Sequence, residues 1–141
     1  MEWMIAIFFL VILSVYDIRN KEVPMLWLLL FGCVATVYVV LDGKREGIMM
    51  IYSLIPGAFL LAISLCTRES IGYGDGWTVL ALGILLGLWK CFVVVFAGFL
   101  FSAIFSLILL VLRRVNGKSR LPFLPFITMG LGVVMVVQGV C

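Results

Sequence analysis

Long apolar runs without a charged residue are the feature that most limits what this chain can fold into. Residues 47–67 and 91–112 are two examples. About 20 apolar residues in a helix cross a hydrocarbon core of about 30 Å, whereas a membrane-spanning strand alternates apolar and polar side chains, which these runs do not. Only 12% of the residues are charged, against about 25% in a typical soluble domain. The sequence therefore predicts an all-α membrane protein.

The charged residues between the apolar runs set the number of predicted crossings. They separate six runs, which cover residues 3–16, 23–41, 47–67, 76–89, 91–112 and 121–141. We therefore predict a polytopic bundle of about six transmembrane helices, formed by a single integral membrane domain over residues 1–141.

Basic residues in short loops predict the orientation, because they collect on the cytoplasmic side. With the N-terminus outside, seven basic residues fall in cytoplasmic loops: Arg19, Lys21, Arg68, Arg113, Arg114, Lys118 and Arg120. The outer loops then hold three, which are Lys44, Arg45 and Lys90. We expect this orientation, in the cell membrane.

Two of the runs are short, and each borders an aspartate. Residues 3–16 precede Asp17 and residues 76–89 follow Asp75. Fourteen helical residues span only about 21 Å. If the run that follows Asp75 is extended to residues 70–89, it becomes a full crossing with Asp75 one to two turns below the cytoplasmic surface. Asp17 falls at the same surface, so the two aspartates are candidate neighbours.

Ionisable residues inside membrane spans are costly and are candidates for function. The chain has no histidine, which excludes Ser-His and HExxH proteases. A Ser-Lys pair is poorly placed, because the lysines fall in loops or at the other surface. Two carboxylates in a poorly solvated site do not both ionise easily, so an acid and a base coexist near neutral pH. Asp17 and Asp75 are therefore the candidate catalytic pair.

Alternative interpretations of this segment remain open. Asp75 could form a structural ion pair with Arg68 or Arg19. Three glycines that surround Asp75 could admit a substrate backbone or could serve only as turn and helix-packing residues. They are Gly72, Gly74 and Gly76.

Metal and nucleic-acid binding have little support in the composition. The four cysteines form no CxxC pair, and without histidine a zinc site lacks its usual ligands. The net charge of +3 is ordinary for a membrane protein. We predict no metal, no cofactor and no nucleic-acid partner.

Three segments resemble, in order, the signature blocks of the type IV prepilin peptidase family, which are GxGD-type membrane aspartyl proteases. The segments are "YDIRNKEVP", "GYGD" and "LPFLPFITMG", at residues 16–24, 72–75 and 121–130. The matching residues are Asp17, Arg19, Val23 and Pro24 in the first, Gly72, Gly74 and Asp75 in the second, and Pro122, Phe123, Pro125 and Phe126 in the third.

The resemblance implies an activity. Members of this family remove the short basic leader of prepilins and pseudopilins at the cytoplasmic membrane face, just before an apolar helix and after a small residue. Asp17 and Asp75 take the catalytic positions. The implied partners are prepilin-like substrates, membrane lipid and the pilus or secretion assembly machinery. The residues that the motifs suggest shape the site are Gly72, Tyr73, Gly74, Gly76, Arg19, Pro24, Pro122, Phe123 and Pro125.

The chain departs from the family pattern at several points. It lacks the cytoplasmic loop with paired CxxC motifs that accompanies N-methylation in longer members, so we predict a peptidase without methyltransferase activity. Trp77 stands where many members have lysine, and Met25 stands in place of asparagine. These changes affect expected substrate contacts more than the expected chemistry.

The prolines of the third block predict a helix start, because the first helical turn needs no intrahelical N–H partners. Pro122 and Pro125 then mark the beginning of the last span, with phenylalanines packed at the membrane interface. A further hypothesis is that this start shapes the site beside the aspartates.

Two other functions fit the aspartate pair. A presenilin-like protease also combines YD and GxGD motifs, but its family has longer chains and cuts within the substrate's span. A small transporter or assembly subunit could use the aspartates for ions or protons. However, no polar residues continue from them toward the other surface, since Asp42 and Glu46 lie in an outer loop.

Overall fold

A computed structural model gives the fold and describes residues 1–20, 24–66, 73–113 and 123–139. These residues form seven helices: α1 (Glu2–Asn20), α2 (Met25–Asp42), α3 (Gly47–Ser53), α4 (Ile55–Cys66), α5 (Tyr73–Leu86), α6 (Leu88–Val111) and α7 (Leu124–Gln138). The described residues contain no strand. The predicted all-α bundle is therefore confirmed.

A break divides the third predicted crossing into α3 and α4. Leu54 separates the two helices, and Pro56 lies in the first turn of α4. A proline lacks an N–H and its ring crowds the preceding turn, so a helix bends or breaks there. Counted as one bent segment, α3 and α4 bring the described helices to six, which agrees with the six apolar runs.

Three of the described segments are long and apolar enough to cross a membrane. They are Met25–Asp42, Gly47–Cys66 and Leu88–Val111, with mean hydropathies of 2.1, 2.1 and 2.8. Their side chains are mostly exposed in the isolated protein, because the apolar surface of a membrane protein faces lipid. The orientation of the bundle in the membrane stays a prediction.

The two short apolar runs behave differently from the sequence prediction. α1 does not stop before Asp17 but continues to Asn20, which makes it 19 residues long. The expected crossing over residues 70–89 is wrong at its far end, because α5 stops at Leu86. Gly87 has a φ of 87°, which only glycine adopts readily, and this turn starts α6 at Leu88.

α5 is the central helix of the bundle. It contacts α1, α2, α3, α4 and α6, and most of its side chains are buried. Gly57 of α4 lies directly against the backbone of Leu80, where a methyl group has no room. Glycine therefore allows the two backbones to approach closely, as small residues do between membrane helices.

α7 packs between α1 and α6 on the side of the bundle away from α2. Gly98 of α6 and Gly130 of α7 meet there, and a methyl group on Gly130 would lie 2.9 Å from the Gly98 nitrogen. Thr128 of α7 donates hydrogen bonds to the carbonyl oxygens of Leu124, at 2.9 Å, and Leu10, at 3.5 Å. These contacts hold the second turn of α7 beside the middle of α1 and pack α7 closely against α6.

Candidate active site

Asp17 and Asp75 come from different helices to one buried position. Asp17 lies in the last turn of α1 and Asp75 in the first turn of α5. Their side chains are 8% and 9% exposed, and the two carboxyl groups lie close enough to interact electrostatically. From the sequence the two aspartates were candidate neighbours, and in the structure their carboxyl groups interact.

The start of α7 holds the Asp17 carboxylate. The backbone N–H of Leu124 donates a hydrogen bond to Asp17 Oδ2 at 3.4 Å, and the N–H of Phe123 also acts on this carboxylate. The first N–H groups of a helix have no partner within the helix, and they carry its positive end. A carboxylate from α1 thus satisfies the beginning of α7 and is fixed in place by it.

Asp75 has a different environment from Asp17. In the next turn of α5, the fully buried Thr78 donates a hydrogen bond of 2.7 Å to the carbonyl oxygen of Gly74. On the α4 side, a methyl group on Gly76 would lie 2.7 Å from the Leu61 side chain. The first turn of α5, which carries Asp75, is therefore packed closely against α4.

The ion pairs among the described residues include neither aspartate. Arg19, one of the two arginines considered as a structural partner of Asp75, is exposed to solvent. Arg68, the other, lies outside the described residues. No group of three or more His, Cys, Asp or Glu that could hold a metal ion occurs in the described part of the chain.

Two of the motif residues suggested to shape the site open toward a groove. Tyr73 is the first residue of α5 and is 42% exposed, and Gly74 is partly buried. Both line a groove between α2 and α5. Pro24 precedes α2, and its carbonyl oxygen accepts a hydrogen bond of 3.1 Å from the N–H of Trp27. Gly72 lies outside the described residues.

The third block contributes the helix start that contacts Asp17. Pro125 is in the first turn of α7, as the proline pattern predicted. The ring of Phe123 packs against Phe99 of α6 with a centroid distance of 4.8 Å. Pro122 lies outside the described residues. The Leu124 N–H that reaches Asp17 was not singled out from the sequence, because a backbone donor leaves no signature of its own.

A groove between α2 and α5 starts at the motif that carries Asp75. We call this surface the α2–α5 groove, and its volume is about 630 Å³. Its lining is almost wholly apolar and includes Met25, Gly32, Tyr73, Gly74 and Trp77. Met25 and Trp77 are the two positions noted above as departures from the family pattern, and both lie on this groove.

A charged cluster at the opposite end of the bundle was missed by the sequence analysis. Glu2 forms ion pairs with Arg45 at 3.2 Å and with Lys90 at 2.6 Å. Arg45 also donates a hydrogen bond of 2.8 Å to the carbonyl oxygen of Ile84 near the end of α5, and Lys90 lies 5.4 Å from the ring centroid of Trp3. The cluster ties α1, α5 and α6 together.

The fold and the buried carboxylate pair define a class, namely helical membrane proteins with two aspartates from separate helices at one end. Residues 4–107 match the model of the type IV leader peptidase family. The chain belongs to this family, and the resemblance seen in the sequence is confirmed. The matched range includes Asp17 and Asp75. The third block, at residues 122–126, lies after the end of that range. Comparisons with curated proteins and with solved structures find no match.

Proposed function

We propose that this protein is a membrane aspartyl endopeptidase that removes the short basic leader of prepilin-like proteins at the cytoplasmic face of the cell membrane. The observation that carries the proposal is the pairing of Asp17 with Asp75, both about nine-tenths buried and close enough to interact. Membership of the leader peptidase family supports a peptidase in general.

The pair supplies the acid and base that peptide hydrolysis needs. One ionised carboxylate takes a proton from a water molecule, and the oxygen of that water bonds to the scissile carbonyl carbon. The other carboxyl group donates its proton to the carbonyl oxygen. When the tetrahedral intermediate collapses, the carboxyl group that took the proton from water passes it to the amine and the C–N bond breaks. The other carboxylate takes back its proton from a hydroxyl group of the intermediate, so both groups return to their starting states. Because the pair titrates as a unit, neither role is assigned to one residue.

The surroundings of the pair suit this chemistry. The N–H of Leu124 at the start of α7 donates a hydrogen bond to Asp17, and Asp75 is buried in the closely packed first turn of α5. A fixed arrangement of the acid and base lowers the entropy cost of bringing them to the reacting atoms. We propose that Phe123 and Pro125 act through this helix start, as positioning residues.

We further propose that the protein does not methylate the new N-terminus. The proposal rests on the sequence, in which the four cysteines form no CxxC pair and only a short segment joins α1 to α2. The reaction then needs no cofactor. The partners we propose are the prepilin-like substrate, the surrounding lipid and the machinery that assembles the processed subunits.

A cleavage experiment tests the proposal. The chain is produced together with pilin-like proteins that carry a basic leader, and their masses are measured by mass spectrometry. We expect leader removal with the wild type, intact precursor with Asp17→Asn or Asp75→Asn, and no added mass of a methyl group. Intact precursor with folded wild-type protein, together with ion flux that depends on the aspartates, would favour a transporter instead.

A further inference from the structure

The walls of the α2–α5 groove are two helical stripes that start at the same end. On α5, the groove-lining residues follow the spacing i, i+4, i+7 and i+11, and they are Tyr73, Trp77, Leu80 and Ile84. On α2, the same spacing places Met25, Leu29, Gly32 and Thr36 in the groove. Side chains with this spacing share one face of a helix. The groove is therefore a continuous channel between two helix faces.

The groove begins at the end of the bundle that carries the aspartates and extends toward the other end. α2 starts a few residues after the end of α1, which carries Asp17, and α5 starts two residues before Asp75. Both stripes therefore run from the aspartate end toward the other end. Eleven residues of helix rise about 17 Å, or about three turns. A helix of about three turns thus fits along the groove with one end level with Asp75.

The middle of the groove has room for a close helix–helix contact. At Gly32, a methyl group would meet nothing within 4 Å, so the space above this residue is open. Tyr73 and Trp77, on the opposite wall, are 42% and 45% exposed. Glycine allows a neighbouring helix to approach closely, and aromatic side chains supply contact area.

We propose that the α2–α5 groove binds the first three turns of the apolar helix that follows the cleavage point in the substrate. This inference rests on the proposed peptidase function and adds where the substrate lies. Tyr73 and Gly74 line the groove and directly precede Asp75, so the groove starts at the end of α5 that carries the candidate active site. A helix in the groove therefore has the peptide bond before its first turn level with the aspartates.

A second apolar groove shows why position matters. It lies between α4 and α6 and has a similar volume, about 750 Å³. Its lining includes Ile55, Leu88 and Trp89, which lie at the starts of α4 and α6 and so belong to the end away from Asp17 and Asp75. A substrate helix bound there would hold its cleavage point far from the aspartates. Apolar character alone thus does not select the substrate groove, whereas a position at the aspartate end of the bundle does.

The first test fills the groove at Gly32. Gly32→Leu adds a side chain in open space, so it blocks the groove without a clash inside the protein. Gly132→Leu in α7 is the matched control, because Gly132 also has nothing within 4 Å and does not line the α2–α5 groove. The assay compares two designed substrates that share a basic leader and a glycine cleavage point. The long substrate continues into an apolar helix, and the short substrate ends before it.

The readout is the ratio of cleavage rates for the long and the short substrate in detergent micelles. We expect Gly32→Leu to lower this ratio about tenfold, the effect of losing about 1.4 kcal/mol of binding, through a higher KM for the long substrate. Gly132→Leu should keep the wild-type ratio. A wild-type ratio with Gly32→Leu would overturn the groove assignment and leave the groove to lipid. Cleavage of neither substrate by folded wild type would overturn the proposed function itself.

A second test uses the chain's own cysteines. Cys33 lines the groove, whereas Cys66, at the end of α4, does not, and both are exposed. Variants that keep only one of these cysteines, in an Asp75→Asn background, are oxidised with long substrates carrying one cysteine at successive positions. We expect disulfides to Cys33 at positions three to four residues apart within the first three turns of the apolar helix. Equal yields with Cys66, or none with Cys33, would overturn the assignment.

Discussion

At one end of the bundle, the carboxylate of Glu2 is bound by the cations of Arg45 and Lys90, whereas at the other end two carboxylates interact with each other. The two ends also differ in exposure. Glu2 is half-buried, whereas Asp17 and Asp75 are buried. A carboxylate with two cationic partners stabilises a fold.

Two buried carboxyl groups that interact with each other do not stabilise a fold in this way. Removing a charged group from water costs free energy unless it is paired, and like charges add to that cost. The N–H groups of α7 offset part of it at Asp17. The difference between the ends therefore supports a structural role for the Glu2 cluster and agrees with the catalytic role that we propose for the aspartates.

The largest expected effect is at the aspartate end. Asp75→Asn keeps the shape of the side chain but removes an acid–base group, which typically contributes about 10²–10⁴-fold to a rate. We expect cleavage to fall by at least this factor, while the free energy of unfolding stays equal or rises because a buried carboxyl group is removed. Initial rates and thermal unfolding in detergent measure the two quantities. A variant that keeps its activity and loses stability would reverse the assigned roles.

The second largest effect is expected where α4 packs against α5, the helix that runs between the two ends. Gly57→Ala places a methyl group against the backbone of Leu80 in α5, where nothing can move aside easily. Overpacking of this kind costs about 1–3 kcal/mol. We expect a lower unfolding temperature, with both ends of the bundle affected. Gly132→Ala is the control, because the added methyl group meets open space and should leave stability unchanged.

The Glu2 end should show loss of stability without loss of chemistry. Glu2→Gln leaves Arg45 and Lys90 without their carboxylate, and hydrogen bonds to charged groups contribute about 1.5–3 kcal/mol. Partial exposure lowers the expected cost to about 1–2 kcal/mol. Asp42→Asn, which removes the exposed ion pair with Lys44, should change stability by less than about 1 kcal/mol. Equal unfolding temperatures for the two variants would contradict the structural role of the cluster.

The smallest effect is expected at the start of α7. Pro125→Ala removes the fixed backbone angle of the first turn, whose neighbouring Leu124 N–H contacts Asp17. If about 1 kcal/mol of positioning is lost, turnover falls about fivefold. The measurement is kcat for leader removal, normalised to folded protein. The hypothesis that this helix start shapes the site fails if kcat is unchanged.

Much of the fold could be predicted because charges and apolar runs are local signals. The six runs gave six helical segments, and the prolines of the third block marked the start of α7. Helix ends were harder to predict. α1 continues through Asp17 and Arg19, since a charged side chain near a helix terminus does not prevent helical backbone. The end of α5 at Leu86 depends on the positive φ of Gly87. A glycine within an apolar run does not by itself indicate whether its φ is positive.

The two ends of the bundle also differ in how far the sequence revealed them. Asp17 and Asp75 stood out because each interrupts or borders an apolar run. The order of the runs also places the end of the first helix and the start of the helix with Asp75 on the same side of the membrane. Glu2, Arg45 and Lys90 did not stand out, because each lies among loop or terminal residues. Their contacts join residues 43 and 88 positions apart, and no local pattern records such pairs. The hydrogen bond from the Leu124 backbone to Asp17 is hidden for the same reason.

The most direct test compares one carboxylate from each end in the same assay. Leader removal from a prepilin-like substrate is followed by mass spectrometry for the wild type, Asp17→Asn and Glu2→Gln, with each rate divided by the amount of folded protein. The account predicts cleavage by the wild type and by Glu2→Gln, and intact precursor with Asp17→Asn. Cleavage by Asp17→Asn at the wild-type rate would contradict the assignment of the aspartate pair as the catalytic site.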